Sequence, residues 1–176
     1  MKKEIMNEKD IVRGINKLAS DIIAYNKGIE NLVIIGIRTR GVPLAKRLAK
    51  AIALLEGQEP EMGILDITLY RDDIGMTDKQ PIVKKTEIPF NLFEKTIVLV
   101  DDVLYTGRTV RAALDALMDF GRPKKIQLCV LIDRGNRELP IRSDFVAKKM
   151  TTKYEDTVIV NFKEIDKEDK VYLKEK

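Results

Sequence analysis

One stretch of the chain constrains its fold more than any other: a short apolar run, a pair of acids and a turn that leads into a helical pattern. Residues 97–100 read Ile-Val-Leu-Val, which indicates a buried strand. Asp101 and Asp102 follow, and after Gly107 the apolar residues recur at helical spacing. The order of buried strand, tight loop and helix is typical of an α/β protein with a mostly parallel sheet.

The turn after the two acids is suited to a phosphate group. Backbone N–H groups at the start of a helix point toward one spot, and the helix dipole favours an anion there. Gly107 permits close approach of the backbone, and the hydroxyls of Thr106 and Thr109 add hydrogen-bond donors. Arg108 offers a fork-shaped positive contact, so we expect this loop to bind a phosphate.

Asp101 and Asp102 repel a phosphate, so they predict a different group beside it. Carboxylates suit the vicinal hydroxyls of a sugar or a hydrated magnesium ion. A phosphate next to a diol describes a ribose 5-phosphate. The alternative is an acidic pocket like that of a response regulator, where paired acids also follow a strand. That pair usually lies near the N-terminus, whereas here it lies past the middle of the chain.

A second polar turn follows another apolar run. Residues 32–37 predict a central strand, and residues 42–55 predict a helix. The turn between them consists of Arg38, Thr39, Arg40 and Gly41. Ligands of parallel sheets gather at the carboxyl ends of the strands, so this turn predicts a second anion site opposite the first. Standing alone, it would also fit an ordinary surface turn with scattered arginines.

The amino-acid composition limits the kinds of active site that the chain can form. The 176 residues carry a formal charge of +4 and contain no histidine, which excludes Ser-His triads and histidine metal sites. The single cysteine, Cys129, lies in an apolar run, so we expect a buried, inert thiol and no intrachain disulfide. Nothing resembles a signal peptide or a membrane-length apolar run, and we expect a cytoplasmic protein without membrane contact.

The remaining pattern alternates helices, strands and polar segments. The pattern of residues 8–26 predicts an amphipathic helix. Its basic residues form a separate stripe, which an ordinary solvent-exposed surface would also explain. A long polar segment, about 70–89, separates the third strand from the acid-pair strand. The other predicted strands cover residues 62–69, 127–133, 157–162 and 171–173.

The acid-pair loop resembles the phosphoribosyl-pyrophosphate (PRPP) signature of the type I phosphoribosyltransferases. Four segments together resemble the PyrR family, namely 36–41, 65–73, 101–112 and 133–142. That family couples a uracil phosphoribosyltransferase fold to RNA-binding regulation of pyrimidine biosynthesis genes. The resemblance implies one domain over residues 1–176, in which helices flank a mostly parallel central sheet. It also implies a flexible loop at about 70–89 and a small hood at about 134–160.

The resemblance also implies a reaction and its residues. PRPP and uracil would give UMP and pyrophosphate, with Mg²⁺ held mainly by the substrate and Asp101 and Asp102 as its candidate protein ligands. The catalytic candidates are Asp101, Asp102 and Arg40. The PRPP and UMP site would comprise Val100, Asp101, Asp102, Val103, Leu104, Tyr105, Thr106, Gly107, Arg108 and Thr109. Pyrophosphate would contact Arg38, Thr39, Arg40 and Gly41. Purine-type relatives carry an acid at the Tyr105 position, so a tyrosine there fits a pyrimidine.

For RNA, the resemblance points to a basic face. Its candidate residues are Arg13, Lys17, Arg137, Arg142 and Lys148. The chain departs from the family pattern at Asn136, Asn16 and Ser20, where histidine, threonine and histidine are common. The leading hypothesis is a UMP-responsive regulator that binds pyrimidine-operon leader RNA and also makes UMP, as a homodimer or a larger homo-oligomer. The alternatives are a salvage enzyme without RNA binding and a regulator with vestigial catalysis.

Overall fold

The computed structural model describes residues 1–76 and 80–176, and the elements below lie within these ranges. The strands are β1 (Lys2–Met6), β2 (Leu32–Ile37), β3 (Glu61–Leu65), β4 (Thr96–Leu104), β5 (Lys125–Asp133), β6 (Phe145–Lys149), β7 (Thr157–Asn161) and β8 (Lys170–Lys174). The helices are α1 (Glu8–Asn26), α2 (Gly41–Glu56), α3 (Arg108–Met118) and α4 (Lys163–Asp166). None of these helices is long and apolar enough to span a membrane.

The central sheet has five parallel strands in the order β3-β2-β4-β5-β6. The side chains of β2 alternate between two apolar layers, because successive residues of a strand point to opposite faces. Ile34 packs in the layer of α1 and α2, whereas Val33 and Ile35 pack in the layer of α3. Strands buried on both faces are continuously apolar, as in the predicted runs. The predicted α/β fold class is confirmed.

Helix α1 has the bounds that the sequence pattern predicts. Asn7 accepts a hydrogen bond from the Asp10 N–H, and the Asp10 carboxylate accepts one from the Asn7 N–H, which forms a capping box. At the other end, Lys27 adopts a left-handed conformation with φ of 57° and terminates the helix. Local sequence signals therefore determine both ends of this element.

A second, smaller sheet joins the two ends of the chain. Its strand order is β1-β8-β7, with β1 antiparallel to β8 and β8 antiparallel to β7. The predicted hood segment, about 134–160, contains β6, which forms the edge of the central sheet, and the start of β7, which belongs to the small sheet. The sequence pattern missed β1, which is mostly charged and pairs with β8 far along the chain, and β6, which is short and ends in two lysines.

The third strand is shorter than the predicted 62–69 and ends at Leu65. The Asp66 carboxylate accepts hydrogen bonds from the N–H and the hydroxyl of Thr68, and this contact turns the chain into a short 3₁₀ helix. The polar segment returns to the strand where Glu87 pairs with Ile64. Residues 77–79 of the predicted flexible loop lie outside the described residues.

Candidate active site

The two predicted anion loops meet at the carboxyl edge of the central sheet. Strands β2 and β4 are neighbours, with Gly36 opposite Val100, so the turns that follow them lie side by side. A Cβ atom on Gly41 would lie 2.4 Å from the carbonyl oxygen of Val100 and 3.3 Å from the Cα of Asp101. Only glycine permits this approach, which brings the arginine-containing turn directly against the acid pair.

The acid pair lies at the end of β4, where Asp101 is buried and Asp102 is partly buried. The Asp102 N–H donates to Asp101 Oδ1, and the Val103 N–H donates to Asp102 Oδ1, both at 2.9 Å. Burial and the neighbouring charge of Asp102 raise the pKa of Asp101. Burial also raises the pKa of Asp102, although the Val103 N–H and the charge of Arg40 act against it. The pair therefore favours a positively charged or hydrogen-bond-donating partner.

The phosphate loop has the local geometry that its sequence predicts. Gly107 adopts φ of 94° and precedes the first residue of α3, and its carbonyl accepts from the Arg111 N–H. A left-handed residue is needed here, since the chain turns sharply from strand to helix. A cavity of about 360 Å³ lies at this loop. Its lining comprises Arg71, Asp72, Asp73, Tyr105, Thr106, Arg108 and Thr109.

The Arg108 guanidinium at this cavity is already paired with two carboxylates. Its Nη1 donates to Asp72 at 2.7 Å and its Nε donates to Glu138 at 2.7 Å. Both carboxylates are partly exposed, so a bound phosphate would compete with them for the guanidinium. The hydroxyls of Thr106 and Thr109 and the backbone N–H groups are therefore the donors most directly available.

Some of the predicted PRPP residues have side chains that fill the core, so only their backbone atoms remain for a ligand. The side chains of Val100 and Leu104 are buried in the core, and Val103 packs against the core from a partly buried position. Tyr105 is partly buried, and its hydroxyl donates to the carbonyl of Tyr154 at 2.8 Å. The sequence pattern identifies this segment but does not distinguish side chains that face a ligand from those that fill the core.

The arginines of the second loop are both anchored. Arg38 Nε donates to the carbonyl of Lys85, which belongs to the returning limb of the polar segment, at 3.0 Å. Arg40 forms an ion pair with Asp166 of α4. Thr39 between them is exposed, and the peptide bond from Arg38 to Thr39 is cis. The loop therefore touches the polar segment on one side and the C-terminal part of the chain on the other.

A buried arginine at the start of the predicted hood segment supports the start of the phosphate loop. Arg134 is 4% exposed and donates to the Thr152 hydroxyl and to the carbonyls of Lys153 and Asp156. Its guanidinium also lies 4.0 Å from the ring centroid of Tyr105. Arg134 thus joins the segment 152–156 to the phosphate loop. The only sequence signal was an arginine directly after a buried strand.

Three of the five predicted RNA-binding residues lie together. Arg13, Lys17 and Lys148 line one shallow cavity of about 320 Å³ between α1 and β6. Each also has a contact within the chain: Arg13 with Asp10, Lys17 with Asp21, and Lys148 with the carbonyl of Ile5.

The other two predicted RNA-binding residues differ from each other. Arg142 is exposed. Arg137 instead donates to the Tyr105 carbonyl at 2.6 Å and to the Asp133 carboxylate at 2.8 and 2.9 Å. Its guanidinium is thus committed to the back of the phosphate loop, so Arg142 is the freer of the two for contact with RNA.

Comparison with known proteins agrees with this geometry. The phosphoribosyl transferase domain family matches residues 1–164, so the fold and its two loops define a phosphoribosyltransferase. "Bifunctional protein PyrR" of Clostridioides difficile strain 630 is 55% identical over 174 residues, covering 99% of this chain and 98% of that protein. The protein of the same name from Thermus aquaticus is 55% identical over 175 residues, covering 99% and 97%. The chain belongs to the PyrR family.

Solved structures with little sequence similarity share the fold. A hypoxanthine phosphoribosyltransferase from Staphylococcus aureus has a TM-score of 0.74 at 18% identity, covering 98% of this chain and 91% of that one. That of Trypanosoma cruzi has a TM-score of 0.73 at 18% identity, covering 99% and 97%. These comparisons confirm the predicted type I phosphoribosyltransferase fold, and the relatives confirm the prediction of a bifunctional phosphoribosyltransferase.

Proposed function

We propose that this chain transfers the phosphoribosyl group of PRPP to uracil, giving UMP and pyrophosphate, and that it regulates pyrimidine biosynthesis genes through RNA. The observation that carries the proposal is the contact of Gly41 with the Val100 carbonyl. This contact holds a turn with two arginines beside two carboxylates and a phosphate loop. PRPP has the same three features: a pyrophosphate, two vicinal hydroxyls and a 5-phosphate.

Each part of the site takes one part of the substrate in this proposal. The loop 105–109 holds the 5-phosphate through backbone N–H groups and hydroxyls. Asp101 and Asp102 accept hydrogen bonds from the ribose hydroxyls. Arg38 and Arg40, with the backbone at Thr39 and Gly41, hold the pyrophosphate. The substrate is thereby gripped at both ends, which orients its anomeric carbon toward the base.

The residues at the acid pair fit a magnesium ion that is held mainly by the substrate. Magnesium prefers oxygen ligands and usually keeps several that are not protein atoms. Within residues 1–76 and 80–176, no group of three or more acidic, histidine or cysteine side chains is placed to hold a metal. Asp101 and Asp102 would supply the protein oxygens, and the ion would neutralise charge on the pyrophosphate.

The reaction is expected to pass through an oxocarbenium-like transition state, so stabilising the departing pyrophosphate is the main catalytic task. Arg40 would supply positive charge for this task, and its effect on the pKa of Asp102 supports a position close to the acid pair. The polar segment at about 70–89 would cover the site and exclude water, which would otherwise hydrolyse PRPP. Tyr105 takes the position at which purine-specific relatives place an acid, in keeping with a pyrimidine substrate.

The regulatory part of the proposal uses the basic residues between α1 and β6. Arg13, Lys17 and Lys148 would meet phosphates of pyrimidine-operon leader RNA, together with Arg142. Arg137 donates to the Tyr105 carbonyl and so connects the phosphate loop with the segment that carries Arg142. UMP in the phosphate loop would favour the RNA-binding form, and the acting species would be a homo-oligomer.

Two assays on the purified protein test the proposal. The first measures UMP formation from PRPP and uracil with magnesium, and hypoxanthine serves as the control base. The second titrates leader RNA in a gel-shift assay with and without UMP. UMP synthesis together with tighter RNA binding in the presence of UMP supports both activities. Robust synthesis without RNA binding at low salt selects the salvage enzyme, and absence of UMP synthesis contradicts the catalytic assignment.

A further inference from the structure

Arg40 of the pyrophosphate loop is held by a residue from a distant part of the chain. Its Nη2 donates to Asp166 Oδ1 at 2.7 Å, and its Nε lies 3.3 Å from Asp166 Oδ2. A two-point contact of this kind restricts the orientation of the guanidinium as well as its position. The Asp166 side chain is only 16% exposed, so the carboxylate is shielded from solvent.

The short helix that carries Asp166 is anchored to α2 by other contacts. Arg47 donates to Glu164 at 2.8 and 2.6 Å and to Asp169 at 2.7 Å. Its guanidinium also lies 5.1 Å from the ring centroid of Phe162, which is fully buried. These contacts hold α4 against α2 independently of the Arg40–Asp166 pair.

Asp166 is charged at neutral pH. Burial acts to raise its pKa, but the hydrogen bonds from Arg40 and from the Phe162 N–H outweigh burial and lower the pKa below its ordinary value. A carboxylate fixed by a backbone N–H holds its own orientation before any arginine reaches it. Asp166 is thus a rigid acceptor for Arg40.

The pairing leaves Arg40 able to bind an anion. A guanidinium has five N–H donors, and Asp166 uses the Nε edge and one Nη2 hydrogen. Within the described part of the chain, Asp166 is the only hydrogen-bond partner of this guanidinium. The end of the fork, with both Nη1 hydrogens and one Nη2 hydrogen, remains for phosphate oxygens. Asp166 and a pyrophosphate can therefore occupy different edges of Arg40 at the same time.

We infer that Asp166 is a positioning residue for the transferase reaction: it fixes the Arg40 guanidinium so that the fork faces the departing pyrophosphate. This role rests on the proposed function. An unrestrained arginine samples many rotamers, and ordering it on binding weakens affinity. With Asp166 in place, that ordering precedes substrate binding.

The test compares Asp166→Asn with the parent protein in steady-state UMP synthesis at varied PRPP and saturating magnesium. Asparagine keeps the shape of the side chain and removes its charge. The expected result is a KM for PRPP raised about five- to tenfold, with the KM for uracil unchanged. Inhibition by inorganic pyrophosphate weakens by a similar factor. Asp166→Glu keeps the charge and recovers part of the loss.

Glu175→Gln provides a control, because it removes an exposed carboxylate charge from the C-terminal part of the chain without touching Arg40 or the contacts that anchor α4. Its KM for PRPP and its inhibition by pyrophosphate stay at the parent values, and thermal unfolding of both variants measures any effect on α4. An unchanged or lower KM for PRPP in Asp166→Asn overturns the inference, and so does an equal rise in Glu175→Gln. If the parent protein makes no UMP and calorimetry detects no pyrophosphate binding, the proposed function itself fails.

Discussion

The Cα of Gly41 lies so close to the Val100 carbonyl that a methyl group on it would be 2.4 Å from that oxygen. This contact joins the first residue of α2 to the strand that carries the acid pair. Backbone atoms form both sides of the contact, so neither side can move aside by changing a rotamer. The distance between the arginine-containing turn and the acid pair is therefore set by the backbone.

Gly41→Ala is expected to lower UMP synthesis roughly a hundredfold, because a displacement of about 1 Å between reacting groups has that effect. Steady-state kinetics measure it. Gly57→Ala is the control: Gly57 has φ of 73° at the end of α2, and a methyl group added there would have no neighbouring atom within 4 Å. That variant should lose about 1 kcal/mol of stability and keep its activity. Full activity in Gly41→Ala would contradict the close approach.

Asp102→Asn is expected to reduce kcat on the order of a hundredfold, a typical loss when one group that stabilises a transition state is removed. The physical reason is that an amide binds the ribose hydroxyls and magnesium more weakly than a carboxylate. Asp115→Asn removes an exposed carboxylate of α3 and should have no effect. Parent-like turnover in Asp102→Asn would show that the acid pair is not part of the active site.

Arg134→Met is expected to destabilise the protein by about 3 kcal/mol. The change removes the guanidinium that donates to the buried Thr152 hydroxyl and to the carbonyls of Lys153 and Asp156. Urea unfolding measures the difference in free energy. Arg122→Met, at an exposed position, should change stability by less than about 0.5 kcal/mol. Equal stability of the two variants would mean that these buried acceptors find other partners.

The free energy of unfolding should depend on pH in part through the ionisation of Asp66. Burial acts to raise its pKa, but hydrogen bonds from Thr68 and from the Lys84 N–H lower it below the ordinary value of 3.8. The ionised carboxylate therefore stabilises the fold above that pH, and this contribution is lost as the pH falls through the lowered pKa. Unfolding free energies between about pH 2.5 and pH 6 should fall less steeply for Asp66→Asn. Parallel curves would contradict this role.

Arg142→Ala is expected to weaken leader-RNA binding and to reduce the slope of log affinity against log salt by about 1. Arg142 is exposed and can contact an RNA phosphate. Each phosphate contact contributes about one unit to the slope of log affinity against log salt. Gel shifts at several salt concentrations measure the slope. Arg122→Ala removes an exposed arginine before β5 and should leave the slope unchanged. An unaltered slope for Arg142→Ala would place the RNA elsewhere.

Much of the scaffold could be predicted because its signals are local. The apolar run of β2 and the caps of α1 match the observed bounds, Leu32–Ile37 and Glu8–Asn26. The acid pair and Gly107 likewise lie in one continuous segment. In contrast, β1 has the mostly charged sequence Lys-Lys-Glu-Ile-Met, and it becomes a strand only because Lys2 pairs with Lys174 across the length of the chain.

By itself the sequence determined the alternating strands and helices, the acid pair, the phosphate loop and the arginine-containing turn, since periodicity and turn chemistry act over a few residues. Only the tertiary structure decided what these groups touch. It placed Asp166 on Arg40, Glu138 on Arg108 and Arg137 on the Tyr105 carbonyl. The physical reason is that these partners are between 30 and 126 residues apart, so packing of the whole chain selects them.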